Sequence, residues 1–220
     1  TYLSPITREG IKLTGLDYTG LKNDPDFKKM EKRLKDFAPD TNPGDKEQIA
    51  FWINAYNFLA IKLVTDNYPV ESIKDIGSFF TSVWNKDAGI IGGKEYSLGE
   101  IEHEILREKF SEPRIHFAIV CASLSCPDLR PEVYLPAKLE EQLHSATDNF
   151  LDNPDKGVRV KGTELYISKI FDWFDDDFKS SGGVLAFIRK YRPDLEKIGN
   201  YEIDYLEYNW SLNDTSPPKQ

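Results

Sequence analysis

The chain has 220 residues, a net charge of −9 and 28 Lys and Arg against 37 Asp and Glu; that length can bury a substantial core, and one large domain is expected rather than two small ones. Basic residues scattered among acids argue against nucleic acid as the main partner, because phosphate binding draws on clustered Lys and Arg. No apolar run approaches the roughly 20 residues that span a bilayer, so no transmembrane segment is expected in the given chain.

Residues 1–24 interleave Gly10, Gly15 and Gly20 with short apolar pieces and read as an N-terminal arm of little regular structure. Asp24-Pro25 then opens a helix whose Phe27, Met30, Leu34 and Phe37 make a narrow stripe, which predicts an outer helix. The main helix runs from Asp45 to about Asp66 and is apolar on nearly every side, the mark of a helix surrounded by protein. On it Asn54 and Asn57 lie about 60 degrees apart on one face. Each buried carboxamide must find partners. One reading has them bracing a loop or backbone edge, and the other has one of them orienting a catalytic imidazole.

Residues 67–90 lack a clear period and read as a long loop with a short helix, a candidate lid. Gly92-Gly93 is a turn, and Ser97-Leu-Gly-Glu100 is a capping box that starts the next helix. There Glu102 falls in the middle of the apolar arc of Leu98, Ile101, Ile105 and Leu106. A buried carboxylate is protonated or paired with a cation, and Arg114 and His116 are the nearest candidates in the sequence. His103 falls at the flank and is expected to be partly exposed.

Ile115 to Ser123 is short, apolar and rich in strand formers, which predicts a buried strand bounded by Pro113 and Cys126-Pro127. In a regular strand His116 and Cys121 would point to opposite faces with Cα atoms roughly 16–17 Å apart, so they form no dyad there. The two cysteines, Cys121 and Cys126, are too few for a disulfide scaffold and lack zinc-ribbon spacing. Buried inert thiols, or a Cys121–Cys126 disulfide across a turn, are the bland alternatives to reactivity. Further on, Leu135 to Leu151 predicts an amphipathic helix, with His144 exposed. Residues 158–167 predict a hairpin, Val184 to Tyr191 a short helix and Tyr201 to Trp210 a final strand. The acids of Ser168 to Phe178 lack the Gly and terminal Glu of a calcium loop and read as helix capping and a solvated face.

Together these elements define an α+β domain over residues 25–213. A buried central helix packs on a small mixed or antiparallel sheet with further helices around it, an arrangement that papain-like and transglutaminase-like folds would share. A polar tail, residues 214–220, is expected to be disordered.

Several motifs in order resemble the domain of unknown function 547 family. They are Ala50-Phe-Trp-Ile-Asn-Ala-Tyr-Asn57, Ser97-Leu with Ile101-Glu-His-Glu-Ile-Leu-Arg107, Pro113-Arg-Ile-His-Phe-Ala118, Cys121-Ala-Ser with Cys126-Pro, Ser168-Lys-Ile-Phe with Asp177-Phe178, and Tyr208-Asn-Trp-Ser-Leu-Asn213. The resemblance runs from about Tyr18 to Asn213. Val120 departs from it, since many relatives are expected to carry Asn there. The resemblance implies a single globular domain with no agreed activity, found in bacteria as an apparently exported protein and in plants beside a coiled-coil segment. A periplasmic or cell-envelope location is therefore expected, and the opening Thr1 leaves room for a removed leader.

Three functions fit these residues. The preferred one is a binding or scaffold domain in which Glu102, Arg114, His116 and Asn54 form a buried polar network, with Asn57 and Ser123 as further binding residues. Its ligand would be a small molecule or peptide, with a protein partner also allowed. The alternative is a thiol hydrolase or acyl-transfer enzyme. Cys121 or Cys126 attacks, His103 or His116 takes the proton, and Asn54, Asn57 or Glu102 orients the imidazole. The third is metal-assisted hydrolysis by Glu102, His103 and His116, whose spacing is poor for chelation. No metal or cofactor is assigned.

Overall fold

The computed structural model describes residues 2–38, 43–78, 81–197 and 202–216. Its N-terminal stretch is more regular than its glycines suggested. Leu3–Arg8 (β1) and Ile11–Leu16 (β2) pair antiparallel through a turn at Glu9 and Gly10, both with positive φ. Ile11 and Leu13 alternate inward to pack on Leu124, and this burial holds the hairpin down. A one-turn helix, Tyr18–Lys22 (α1), follows, with Asp17 accepting from the Gly20 N–H.

Pro25–Lys35 (α2) starts where predicted, with Asp24 accepting from the Asp26 N–H and Pro25 in the first turn. Leu34 is its one buried residue, as befits an outer helix. Asp45–Asn67 (α3) buries residues on every side, from Ile49 and Ile53 through Tyr56 to Leu63 and Val64. The 67–90 stretch contains two 3₁₀ turns, Ile73–Ile76 and Val83–Asn85, that bury Ile73, Ile76 and Val83. Phe79 and Phe80 lie outside the described residues. Asp87–Ile91 (β3) and Lys94–Ser97 (β4) form a second hairpin.

The next helix begins with half of the predicted capping box. The Ser97 hydroxyl accepts from the Glu100 N–H at 3.0 Å, while the Glu100 carboxylate turns to Lys94. Glu100–Arg107 is wound as a π-helix, in which residues five apart share a face. It buries Ile101, Glu102, Ile105 and Leu106.

Ile115 to Ser123 is not a strand. Pro113–Phe117 is a 3₁₀ turn, capped by the Glu112 carboxylate on the Arg114 N–H, and an irregular segment with Ala122 at φ 62° follows. The run is apolar because it threads between two cores, not because it is pleated. Ile115 belongs to the cluster around α3, and Phe117 belongs to a second cluster with Phe150, Phe171, Phe178 and Phe187.

Leu139–Leu151 (α4) starts four residues later than expected, after a 3₁₀ turn at Pro136–Lys138, and the hairpin Val158–Lys161 (β5) with Glu164–Ile167 (β6) matches expectation. Ile170–Trp173 (α5), a 3₁₀ segment Asp175–Ser181 and Val184–Tyr191 (α6) lead to Glu202–Tyr205 (β7). This last strand is shorter than predicted, Tyr201 lies outside the described residues, and β7 pairs parallel with β6. The start of the predicted tail is ordered. Asp214 is buried, bridges to Leu16 and accepts from the Tyr68 hydroxyl at 2.6 Å, whereas residues 217–220 lie outside the described residues. The fold is α+β in one domain, and among the described residues no helix is long and apolar enough to cross a membrane.

Candidate functional site

Two carboxamides on α3 set the backbone that carries the cysteines. Asn57 donates from Nδ2 to the Ala118 carbonyl at 2.9 Å and accepts the Val120 N–H at Oδ1 at 2.8 Å. It thereby satisfies the edge that a neighbouring strand would otherwise satisfy. One turn earlier, Asn54 does the same for the N–H and carbonyl of Tyr134, both at 2.8 Å. Both amides are spent on backbone, which fits the bracing role and leaves no imidazole for Asn54 or Asn57 to orient.

From Val120 the chain passes Cys121, makes the left-handed turn at Ala122 and returns at Cys126. A run of backbone bonds docks this loop on the C-terminal segment: Asn213 N–H to the Ala122 carbonyl at 3.0 Å, Leu124 N–H to Ser211 at 2.9 Å and Ser125 N–H to Asn209 at 3.2 Å. The docking delivers Tyr208 to the sulfur of Cys121. Its hydroxyl lies 3.3 Å from that Sγ, the Ser123 hydroxyl lies 3.3 Å away, and the Cys126 Sγ lies at 2.8 Å. The Ser123 hydroxyl is also 3.2 Å from the Tyr208 oxygen, so its one proton serves either neighbour. Lys156, its side chain 1% exposed, holds the far side by donating to the Cys126 carbonyl at 3.0 Å and to Asp128 at 2.7 Å.

Hydrogen bonds from Cys126, Ser123 and Tyr208 stabilise a thiolate on Cys121 and pull its pKa below the ordinary thiol range against the cost of burial. Burial and the neighbouring Cys121 push Cys126 the other way. One thiolate thus forms readily in the pair, and the second proton is held.

Cys121 and Cys126 line a cavity of about 250 Å³ together with Glu102, His103 and His116. Its remaining wall is largely aromatic, with Tyr56, Trp84, Trp173, Phe174, Tyr208 and Trp210. Glu102 is 6% exposed, as its place on the apolar arc implied. Its partner differs from expectation. The Tyr56 hydroxyl donates to Oε2 at 3.2 Å, and neither Arg114 nor His116 bonds it among the described residues. Burial first, and then the charge of Cys121, lift the Glu102 pKa to about 7, with Arg107 opposing.

Arg114 is spent elsewhere, on Glu112 and Glu140 at the surface, because its 3₁₀ turn points it away from the cavity. His116 is stacked on Phe174 at 4.3 Å between ring centroids and bonds through Nε2 to Asp177 at 2.7 Å. Asp177 also takes a bidentate bond from Arg107, at 2.6 and 3.0 Å. Burial keeps His116 below the usual imidazole range despite Asp177, while His116 and Arg107 hold Asp177 below the usual carboxylate range. His103 is exposed, and its Nδ1 lies 3.0 Å from Arg107, an acceptor geometry. Without a strand between them, His116 and Cys121 reach one cavity after all, but neither thiol hydrogen-bonds an imidazole among the described residues.

Glu102, His103, His116, Cys121, Cys126 and Ser123 are therefore brought together, while Asn54, Asn57 and Arg114 act outside the cavity. Glu102, His103 and His116 do not converge as metal ligands: among the described residues no group of three His, Cys, Asp or Glu side chains could hold an ion. Sequence reasoning missed Tyr208, Tyr56, Asp177 and Lys156. Asp177 was hidden among Asp172, Asp175 and Asp176, which are exposed as expected. Tyr56, Tyr208 and Asp177 carried a signal, since all three stand in motifs of the family resemblance.

Fold and cavity define an α+β domain with two free, buried thiols at the wall of a largely aromatic pocket. The chain belongs to the family described as protein of unknown function, DUF547, whose model matches residues 41–151. No curated protein and no solved structure matches it, and the papain-like analogy gains no support from them.

Proposed function

We propose that this domain is a thiol-dependent hydrolase or acyl-transfer enzyme with Cys121 as its nucleophile. The observation that carries the reading is the Cys121 sulfur, held by Tyr208, Ser123 and Cys126 at the wall of a cavity that also contains the Glu102 carboxyl. The thiolate attacks an ester or amide carbonyl, a carbon–sulfur bond forms, and the leaving oxygen or nitrogen takes a proton from Glu102. Water then attacks the thioester and returns a proton to the Glu102 carboxylate, which releases the acid and restores the thiolate. A pKa of about 7 lets Glu102 serve in both directions near neutral pH. In this reading hydroxyl and thiol donors stabilise the nucleophile, in place of the Cys–His ion pair.

The test is incubation with p-nitrophenyl acetate, with nitrophenolate release and intact mass followed together. The expected result is an acetyl group on Cys121 and its absence in Cys121→Ser. Equal ester turnover by both proteins, or no acylation of Cys121, would overturn the reading.

The aromatic wall favours a second reading, a pocket that binds a small molecule or peptide without chemistry. It predicts tryptophan fluorescence changes on adding an aromatic ligand that survive Cys121→Ser. An exported location, implied by the family resemblance, belongs to either reading and is tested by cell fractionation.

A further inference from the structure

Cys121 and Cys126 are both free, both line the cavity, and their sulfurs are in contact at 2.8 Å. Catalysis by Cys121 does not use the second sulfur as a reactant, and a lone supporting donor could as well have been a serine. The loop holds the two thiols in register. The Cys121 N–H donates to the Cys126 sulfur at 2.8 Å, the Cys126 N–H closes a turn on the Ser123 carbonyl at 3.2 Å, and Lys156 grips the Cys126 carbonyl.

We propose that Cys121 and Cys126 form a peroxide-oxidised pair, in which Cys121 is the attacking thiol, Cys126 is the resolving one, and a reversible disulfide is the product. The thiolate of Cys121 attacks one oxygen of hydrogen peroxide: a sulfur–oxygen bond forms, the oxygen–oxygen bond breaks, and hydroxide leaves to be protonated to water. The Cys126 sulfur then attacks the sulfenic sulfur, the sulfur–sulfur bond forms, and hydroxide departs with the proton of Cys126 as a second water. The two sulfurs lose two electrons in all, and the peroxide gains them. A thiol reductant reverses the change.

Three features support the assignment of roles. Cys121 receives the hydroxyl contacts that favour its thiolate, whereas burial keeps Cys126 protonated until it is needed. Among the described residues the cavity wall contains no Lys or Arg, so it suits a small neutral oxidant better than a charged one. The resolving sulfur already touches the attacking one, so the sulfenic acid forms beside its partner and is drained before a second peroxide can convert it to the sulfinic acid. The inference is independent of acyl transfer, because its readout is the state of the sulfurs.

The experiment takes the whole chain, reduced with dithiothreitol and desalted, and exposes it to hydrogen peroxide. The protein is then denatured in acid and its remaining thiols are alkylated before digestion and mass spectrometry. The expected result is loss of both alkylatable thiols, a cross-linked Cys121–Cys126 species lacking two hydrogens, and full recovery with dithiothreitol. In Cys126→Ser, Cys121 should instead be recovered as a dimedone adduct or a sulfinic acid. Two results would overturn the proposal. One is thiols that stay alkylatable under conditions that oxidise a free cysteine peptide. The other is wild-type Cys121 driven to the sulfinic acid with no disulfide. Should the serine variant fail to fold, the wild-type measurement decides alone.

Discussion

Glu102 shows how much one buried group can set. Its carboxyl accepts from the Tyr56 hydroxyl and feels the charges of Cys121, Arg107 and Asp177, and burial dominates all of them. The unfolded chain releases this proton at the ordinary 4.5, the folded chain only at about 7. Between those values the folded state therefore holds a proton that the unfolded state has lost, and stability falls as pH rises. At about 1.4 kcal/mol per pH unit the penalty reaches about 3 kcal/mol above neutrality. Glu102→Gln keeps the shape and removes the titration. Urea unfolding of both proteins at about pH 5 and about pH 8 should show the variant gaining about 2–3 kcal/mol on wild type only at the higher value. A gain that is the same at both would mean that Glu102 titrates normally.

Among the elements, those with a strong local period were legible and those positioned by distant partners were not. α2 declared itself through its cap and apolar spacing, α3 and α4 through apolar spacing, and the β5–β6 hairpin through its alternation. Ile115 to Ser123 had the composition of a strand, yet its decisive partner is the Asn57 amide, some sixty residues back on α3. Apolar spacing cannot tell a pleated strand from an irregular segment pressed between two cores. In the site, the inward turn of Glu102 could be read from the chain, but its partner could not, since Arg114 and His116 were expected and the Tyr56 hydroxyl is found. Nor could the contact of Tyr208 with Cys121, which is made through the docking of residues 209–213 on 122–125, although Tyr208 itself stands in a motif of the resemblance. The Asn57 brace leads to a prediction of its own. Asn57→Ala strands the Ala118 carbonyl and the Val120 N–H, at a cost of roughly 1–3 kcal/mol per unsatisfied group. Cys121 alkylation kinetics should change with it, because the residue before the thiol is released. An Asn54→Ala protein, which frees Tyr134 instead, should lose stability comparably while Cys121 keeps its wild-type rate. Identical alkylation rates in both variants would refute the division of labour between the two amides.

On the scale of the whole molecule, the cavity is assembled from α3, the π-helix, the 121–126 loop, α5 with Phe174 and the residues after β7, so it exists only when distant parts of the chain are docked together. The N-terminal hairpin is tied into the same assembly. Asp128 Oδ1 accepts from both the Thr14 N–H of β2, at 2.8 Å, and the Lys156 ammonium, at 2.7 Å, while Lys156 also holds the Cys126 carbonyl. One buried cation therefore connects the hairpin to the thiol loop. Lys156→Met preserves the length of the apolar stem and removes the charge, leaving the Cys126 carbonyl without this donor and Asp128 with the Thr14 N–H but no cation. Asp128 is partly exposed and can rehydrate, so the loss is nearer roughly 1–3 kcal/mol than the larger cost of a fully buried broken pair. Where that loss appears distinguishes a local clasp from a molecular one. Hydrogen exchange should speed up together at the Thr14 amide and at the Cys121 and Cys126 amides, although some hundred residues separate them in the chain. If only the thiol loop loses protection and Thr14 stays as slow as in wild type, the hairpin is held by its other contacts, with Leu124 and with the C-terminal segment, and the connection through Lys156 does not operate.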